Sequence, residues 1–213
     1  MSNRMPALPK AKIVIISGPS GCGKTTLHKA LLASPALKGK LVKTISATTR
    51  QKRPGERHGR EYLFLSPQSF EEKIKKGYFL EWQKVFDHYY GTPKKRAQAL
   101  INKGTNVLLC IDVNGAKAVA GEFPGRALRI FIKPPSMKVL AHRLKARGSE
   151  SRETLKKRLN VARREMREAV NYDHVIVNGD LKKALGQLKK IVCSEVLGVS
   201  GSGGRSLSRG TAT

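Results

Sequence analysis

The residues best suited to chemistry lie near the N-terminus, in a stretch that matches the pattern G-x-x-x-x-G-K-[ST]. The stretch consists of Gly18, Pro19, Ser20, Gly21, Cys22, Gly23, Lys24 and Thr25, and Thr26 follows it directly. Glycines let a backbone curl so that several N–H groups converge on phosphate oxygens, and the dipole of a following helix adds to their attraction. Lys24 can reach the β- and γ-phosphates of a nucleoside triphosphate, and the Thr25 hydroxyl can bind Mg²⁺. The pattern therefore predicts a triphosphate-binding loop and leaves the phosphate acceptor open.

A second group of candidate residues is basic and aromatic. Arg50 and Arg53 are close enough in sequence to clamp one phosphate, because planar guanidinium groups form paired hydrogen bonds with phosphate oxygens. Tyr62 and Tyr90 could add hydroxyl donors to the same cradle. On charge alone, a solvated basic loop explains this group equally well.

Apolar patterning indicates the elements that must position these residues. The β-branched run Ile13–Ser17 precedes the glycine-rich stretch, and Leu27, Ala30 and Leu31 follow it at helical spacing. The other apolar runs that predict buried parallel strands are Val107–Val113, Leu128–Ile132 and Val175–Val177. The other helical stripes are Leu155, Leu159, Ala162, Met166 and Ala169, and then Leu181, Leu185, Leu188 and Val192. Strands that alternate with helices predict an α/β fold, a parallel sheet flanked by helices.

Composition narrows the class of protein. The chain has 42 Lys and Arg against 15 Asp and Glu, a formal net charge of +27, which favours anionic partners such as nucleotides or nucleic acid. Three widely spaced cysteines offer neither metal-ligand spacing nor a disulfide framework. No apolar run approaches the length of a membrane span, and no secretory signal is visible at the N-terminus. We therefore expect a reduced, cytoplasmic protein without a membrane segment.

Several motifs, taken together and in order, resemble the guanylate kinase family. They are the glycine-rich loop, the run T-T-R-x-x-R-P-G-E-x-x-G-x-x-Y-x-F from Thr48 to Phe64, Glu81-Trp82, and Tyr89 to Thr92. The resemblance covers about Ile13 to Val192. It implies a P-loop enzyme that moves the terminal phosphate of ATP onto GMP with the help of Mg²⁺.

The resemblance also implies which residues bind GMP. Ser46, Glu81 and Thr92 would face guanine: the carboxylate would accept hydrogen bonds from N1–H and the exocyclic amino group, and the hydroxyls would donate to O6. Adenine would leave these groups unpaired, and such mismatches can cost several orders of magnitude in specificity. The residues implied at the GMP phosphate are Arg50, Arg53, Tyr62 and Tyr90, with Glu56 holding the arginines and Asp112 near GMP or, through water, near the metal.

On the ATP side, the resemblance implies a lid whose arginines swing over the phosphates. These are Arg143, Arg147 and Arg158, while Asn178 would lie beside adenine. Lys24, Arg50 and the three lid arginines would carry catalysis. A basic helical surface would look the same without the resemblance. No general base is expected, because the attacking oxygen belongs to a phosphate that is already largely ionised near neutral pH.

One departure concerns the end of the strand that begins at Val107. The family typically carries Asp-Ile-Asp there, and this chain has Cys110, Ile111 and Asp112. A neutral thiol is a poor partner for a hard cation, so any role of the first acid is missing or moved. The alternatives are a guanylate-kinase-like module that binds a phosphorylated partner, a sugar-phosphate kinase, and a nucleic-acid-binding protein. The intact glycine loop argues against the first.

The predicted organisation is one domain, 12–197, between a flexible N-terminus, 1–11, and a disordered tail, 198–213. Within the domain we expect a core of 12–43 and 97–197, an inserted mixed GMP-binding lobe at 44–96, and a helical basic lid at about 136–168. ATP and GMP are the expected substrates. Weak, sequence-independent nucleic-acid binding would follow from the charge. The oligomeric state is left open.

Overall fold

The computed structural model describes residues 11–146 and 151–198. The predictions made for the first ten residues, for Arg147 and for the tail beyond Gly198 lie outside the described residues. The strands are β1 Ile13–Ser17, β2 Leu41–Lys43, β3 Ala47–Thr48, β4 Leu63–Phe64, β5 Phe79–Val85, β6 His88–Pro93, β7 Asn106–Cys110, β8 Ala127–Lys133 and β9 His174–Val177. The α-helices are α1 Lys24–Leu32, α2 Pro67–Lys75, α3 Lys94–Asn102, α4 Val113–Glu122, α5 Met137–Lys145, α6 Arg152–Arg167 and α7 Leu181–Leu197. Short 3₁₀ helices span Pro35–Leu37 and Glu168–Asn171.

The core is a five-stranded parallel sheet in the order β2-β7-β1-β8-β9. Parallel neighbours require crossover connections, so helices cover both faces of the sheet. Leu27 and Leu188, from α1 and α7, pack on one face, while Ile101 and Val119, from α3 and α4, pack on the other. All five residues of β1 are buried between the two layers. The predicted α/β fold is confirmed.

The segment between β2 and α3 forms a second, mixed sheet in the order β4-β3-β6-β5. β3 is parallel to β4 and antiparallel to β6, which in turn pairs antiparallel with β5. Helix α2 covers the sheet by stacking Phe70 on Phe79, with ring centroids 4.3 Å apart. This is the mixed lobe that the sequence predicted as an insertion, and it is called the acceptor lobe below.

The basic stretch 136–168 forms two helices, α5 and α6, and the residues between them include 147–150, outside the described ranges. Leu140 and Leu144 of α5 pack on Ala162 of α6, which joins the two helices through a small apolar cluster. Three of the residues predicted as a helical stripe, Leu155, Leu159 and Ala162, lie on this seam.

The predicted strand Val107–Val113 was wrong at its C-terminal end. Strand β7 stops at Cys110, and Val113 is the first residue of α4. The Asp112 side chain accepts a hydrogen bond of 2.8 Å from the Gly115 N–H, so it caps the helix rather than continuing the strand. Strand β2 was not predicted, because three residues at a sheet edge are too few to show a period.

Candidate active site

The glycine-rich loop connects β1 to α1, and its conformation depends on three glycines. Gly18, Gly21 and Gly23 have φ angles of 138°, 91° and 97°, a region in which other residues are strained. A Cβ atom at Gly18 would also collide with the Ile132 carbonyl, and one at Gly23 would collide with the Asn178 amide. These positions therefore require glycine both for backbone angle and for space.

The N-terminus of α1 is open toward the cleft. Gly23 occupies the cap position, so no side chain accepts from the first helical N–H groups. The Lys24 ammonium donates to the Gly18 carbonyl at 2.5 Å and to the Pro19 carbonyl at 3.1 Å, which holds it over the loop. Thr25 and Thr26 are exposed on the first turn. N–H groups without a side-chain cap, a helix dipole and an ammonium make this end an anion site.

Two of the predicted ATP-side residues brace the loop from behind. The Asn178 amide donates to the Cys22 carbonyl at 2.8 Å, and Arg143 donates to the Asn178 carbonyl at 3.0 Å. Asn178 is buried, and neither side chain lines the cleft. Their roles beside adenine and over the ATP phosphates stay predictions, whereas their contacts support the loop.

Arg158 of α6 links the lid to both halves of the site. It donates a 3.0 Å hydrogen bond to the Ser20 hydroxyl of the glycine loop. Its guanidinium carbon also lies 5.7 Å from the centre of the Phe86 ring. Phe86 stands at the tip of the β5–β6 hairpin with φ 56°, an angle that costs a non-glycine residue about 1 kcal/mol. The arginine therefore joins the loop to the acceptor lobe.

The cationic part of the acceptor lobe is organised by Glu56. Both of its carboxylate oxygens accept from one terminal nitrogen of Arg50 at 2.9 Å, and one oxygen also accepts the backbone N–H of Arg53 at 2.9 Å. The Arg50 guanidinium lies 5.6 Å from the centre of the Tyr62 ring. Tyr90 meets Tyr62 edge-on at 6.2 Å. Arginines and tyrosines thus converge on one wall of the cleft.

Glu81 is the most deeply buried carboxylate of this wall, with 7% of its surface exposed. It pairs across the β5–β6 ladder with Thr92, whose hydroxyl donates to Glu81 Oε1 at 2.6 Å. A Cβ at Gly115 would come within 2.6 Å of Glu81 Oε2, so a larger residue there would displace the carboxylate. Burial raises the pKa of Glu81 to about 7, against the lowering effect of the Thr92 hydrogen bond. In this structure the Thr92 hydroxyl supports Glu81, and its donation to guanine O6 stays a prediction.

These elements surround one cleft of about 800 Å³. The predicted site residues that line it are Gly18, Ser20, Gly21, Gly23, Lys24, Thr25, Thr26, Ser46, Arg50, Arg53, Glu56, Tyr62, Glu81, Tyr90, Asp112 and Arg158. Those that lie behind or beneath the lining are Pro19, Cys22, Thr92, Arg143 and Asn178. Arg147 is outside the described residues.

Comparison with known proteins identifies the family. The guanylate kinase family model matches residues 10–195. The chain belongs to the guanylate kinase family. It is 44% identical over 192 residues to the guanylate kinase of Symbiobacterium thermophilum, covering 90% of this chain and 89% of the relative. It is 47% identical over 188 residues to that of Neisseria gonorrhoeae, covering 88% and 90%.

A solved structure of a family member agrees with this assignment. The crystal structure of guanylate kinase from Anaplasma phagocytophilum superimposes with a TM-score of 0.72 at 30% sequence identity, covering 89% of each chain. Within 11–146 and 151–198, no helix is both long and apolar enough to cross a membrane.

Among the cleft residues that the sequence analysis missed are Lys43, Phe86 and Glu165. Burial raises the pKa of Glu165 to about 7, while the charge of Lys24 lowers it. A signal for Glu165 existed, because it follows Arg158 by seven residues and two helical turns return to the same face. Lys43 is a single lysine at the end of a short strand, and no spacing distinguishes it.

The guanylate kinase family implies a divalent metal, and the donors at this cleft suit Mg²⁺. Thr25, Asp112 and Glu165 offer oxygen ligands around Lys24, and burial raises the pKa of Asp112. In the described part of the chain, no group of three or more His, Cys, Asp or Glu could hold a metal alone. Mg²⁺ keeps several waters and takes one or two protein ligands plus substrate phosphates, so a sparse oxygen set fits it.

Proposed function

We propose that this protein transfers the γ-phosphate of ATP to GMP, giving ADP and GDP. The observation that carries the proposal is the buried Glu81 carboxylate, held by Thr92 in the same cleft as the glycine loop. A triphosphate loop alone is shared by many enzymes, whereas a buried carboxylate at the acceptor side selects a base. Membership in the guanylate kinase family supports the same substrates.

Glu81 reads guanine through two hydrogen bonds. Guanine presents N1–H and an exocyclic amino group on one edge, and a carboxylate can accept from both. Ser46, nearly buried at the cleft, donates to O6. Adenine has no N1–H, so it would leave buried Glu81 without the hydrogen bonds that guanine offers, which is costly in a site of low polarity. Thr92 keeps the carboxylate in position.

The transfer itself requires alignment more than acid–base chemistry. An oxygen of the GMP phosphate attacks the γ-phosphorus, the bond between that phosphorus and the β–γ bridging oxygen breaks, and the bridging oxygen leaves with ADP. Arg50, Arg53, Tyr62 and Tyr90 hold the acceptor phosphate. Across the cleft, Lys24 and the loop N–H groups stabilise the charge on the migrating group, with Arg158 and Arg147 from the lid.

Mg²⁺ would be held by the Thr25 hydroxyl and, through water, by Asp112. When bound, it neutralises charge on the ATP phosphates. Arg143 and Asn178 keep the loop in the shape that receives those phosphates, through their contacts behind Cys22. Closure of the lid over the cleft would exclude water and so limit hydrolysis of ATP.

The test is an acceptor panel with MgATP. We expect GMP to be phosphorylated, and AMP, UMP and CMP to have kcat/KM values at least about a hundredfold lower. Equal turnover of AMP and GMP would contradict the role of Glu81. Absence of turnover with every acceptor, in a protein that still binds GMP, would favour a binding module instead. Including dGMP measures the contribution of the ribose 2′-hydroxyl.

A further inference from the structure

Lys43 is a cleft residue that neither the glycine loop nor the predicted GMP set includes. It is the last residue of β2, and its partner on β7 is Leu108, two residues before Cys110. The side chain lines the cleft together with Arg50, Tyr62 and Cys110. Its ammonium lies 5.9 Å from the centre of the Tyr62 ring, and the Arg50 guanidinium lies 5.6 Å from the same centre. Two cations from different sheets therefore border one aromatic ring of the acceptor wall.

Among the described residues, Lys43 forms no salt bridge, and burial lowers its pKa more than the charge of the nearby Glu61 raises it. No carboxylate of these residues comes within 4.0 Å of the Lys43 nitrogen. Its one hydrogen bond within those residues is a long one, 3.3 Å, to the Thr44 carbonyl, which leaves two of three donors for another acceptor. Arg50, by contrast, is already paired with Glu56 at 2.9 Å.

The neighbours of Lys43 compensate its charge only in part. Burial lowers the pKa of Lys43, and this effect outweighs the raising effect of the Glu61 carboxylate. Burial raises the pKa of the Cys110 thiol and, with the charge of Lys43, lowers the pKa of His28 to about 4. Near pH 7 both neighbours are uncharged. A partly buried ammonium in such surroundings is stabilised by an anionic ligand.

We propose that the Lys43 ammonium binds the phosphate of the acceptor nucleotide together with Arg50. The shared Tyr62 ring places this cation on the acceptor side, while Lys24, held by the loop carbonyls, serves the donor side. Because Arg50 is paired with Glu56, Lys43 adds to the acceptor site a positive charge that is not held in a salt bridge. The inference rests on the proposed function, since it names a further residue for that reaction.

The test compares Lys43→Met, which keeps the aliphatic stem, with Lys43→Arg, which keeps the charge. Lys40→Met is the matched control, because Lys40 is exposed just before the same strand and its loss changes net charge equally. Loss of a charge-assisted hydrogen bond should raise the KM for GMP about tenfold or more in Lys43→Met. If Lys43 contacts the GMP phosphate equally in the ground state and the transition state, kcat and the KM for MgATP should stay within about threefold of wild type. Lys43→Arg should recover most of the loss, and Lys40→Met should match wild type.

Guanosine has the base but no phosphate. Its inhibition constant therefore shows whether a substitution weakens binding of the base or binding of the phosphate. Its inhibition constant should be the same in Lys43→Met and wild type. An unchanged KM for GMP, a rise in the KM for MgATP instead, or an equal weakening of guanosine would each overturn the assignment. Thermal unfolding checks that each variant is folded, and Lys43→Gln replaces Lys43→Met if that variant is not.

Failure of the inference is distinguishable from failure of the proposed function. Wild-type turnover of GMP with a normal KM in Lys43→Met rejects only the role of Lys43. If the wild type does not phosphorylate GMP, the proposed function fails. Calorimetric binding of GMP to wild type and Lys43→Met then still decides whether Lys43 holds the phosphate.

Discussion

The two walls of the cleft are built in different ways. The donor wall is made of backbone: three glycines at positive φ, the N–H groups at the N-terminus of α1, and one lysine held by the loop carbonyls. The acceptor wall is made of side chains, in which Glu56 holds Arg50 and Thr92 holds Glu81. Phosphate looks the same in every nucleotide, so a backbone cradle suffices for it. A base must be distinguished from other bases, and that requires side chains with fixed hydrogen-bonding character.

The two walls also differ in how burial affects their charged groups. The donor wall consists of backbone dipoles and the Lys24 ammonium, and its loop, residues 18–25, contains no carboxylate. The acceptor wall instead contains a buried carboxylate, Glu81, whose charged form is disfavoured when no ligand is bound. Base specificity is thus linked to a carboxylate whose neutral form is favoured by burial. Substitutions on the donor wall should lower the rate of transfer, whereas those on the acceptor wall should lower selectivity for GMP.

The largest effect is expected on the donor wall. Lys24→Ala removes the ammonium that stabilises the migrating phosphoryl group, so kcat should fall by about a hundredfold to a thousandfold or more with little change in GMP affinity. Steady-state kinetics and GMP calorimetry on the same preparation measure both. Lys38→Ala, an exposed lysine beyond α1, is the control. A wild-type kcat in folded Lys24→Ala would contradict the assignment of phosphoryl transfer to the donor wall.

On the acceptor wall, Glu81→Gln should damage selection rather than transfer. The neutral amide keeps the size of the side chain but accepts poorly from guanine N1–H, so the ratio of kcat/KM for GMP to that for AMP should fall about a hundredfold. Glu72→Gln, an exposed acid of the same lobe, should leave the ratio unchanged. A ratio preserved in Glu81→Gln would mean that another group reads the base.

The pH dependence of GMP binding should also show that Glu81 reads the base. Burial raises the pKa of Glu81 to about 7, and the form that accepts from guanine is the ionised one. The KM for GMP should therefore rise as pH falls below about 7, approaching tenfold per unit, and level off above that pH. GMP's own phosphate and Glu165 titrate in both proteins, so the difference between the wild-type and Glu81→Gln profiles isolates Glu81. Identical profiles would contradict this assignment.

The same raised pKa has a consequence for stability. Between the unfolded value of 4.5 and about 7, the folded protein holds a proton on Glu81 that the unfolded chain has lost. The free energy of unfolding of the unliganded protein should therefore fall as pH rises through this window. Denaturant unfolding at pH 5 and pH 8 measures the change, and Glu81→Gln should show a smaller decrease than wild type.

The smallest effect is expected where the walls meet. Phe86→Ala removes the ring beside Arg158, a contact worth about 0.5–1 kcal/mol at an exposed site, so kcat should fall about two- to fivefold. Phe86→Tyr keeps a ring and should behave as wild type. Trp82→Ala, a similarly exposed aromatic on the same hairpin, is the control. Equal losses in Phe86→Ala and Trp82→Ala would indicate a general effect on the hairpin.

The donor wall could be predicted from sequence because its information is local. Positive φ angles and close contacts with neighbouring atoms require glycine at Gly18, Gly21 and Gly23. These three glycines lie within one short stretch of sequence. The parallel sheet could be predicted for a similar reason. Its buried strands appear in the sequence as continuous apolar segments, with helical stretches between them. The error at Val113 arose because a helix cap, Asp112, followed an apolar strand without a change in hydrophobicity.

The acceptor wall was accessible only in part. Glu81 and Arg50 were assigned through resemblance to the family, since nothing in the letters around them predicts burial. Lys43 and Glu165 were missed because their significance depends on distance from residues far away in sequence. The contact between Thr92 and Glu81 required the register of β5 on β6, which the sequences of these two strands do not specify.

The order of strands in the core sheet bears on how the molecule is made. β1 lies between β7 and β8, and both partners are more than ninety residues further along the chain. At synthesis rates of about 5–20 residues per second, β1 leaves the ribosome several seconds before either neighbour exists. The β5–β6 hairpin, whose strands are separated by a tight turn, can pair as soon as it emerges. The nucleotide loop, first in the sequence, is therefore among the last parts of the protein to take its working shape, and the apolar strand before it stays without its partner strands until then.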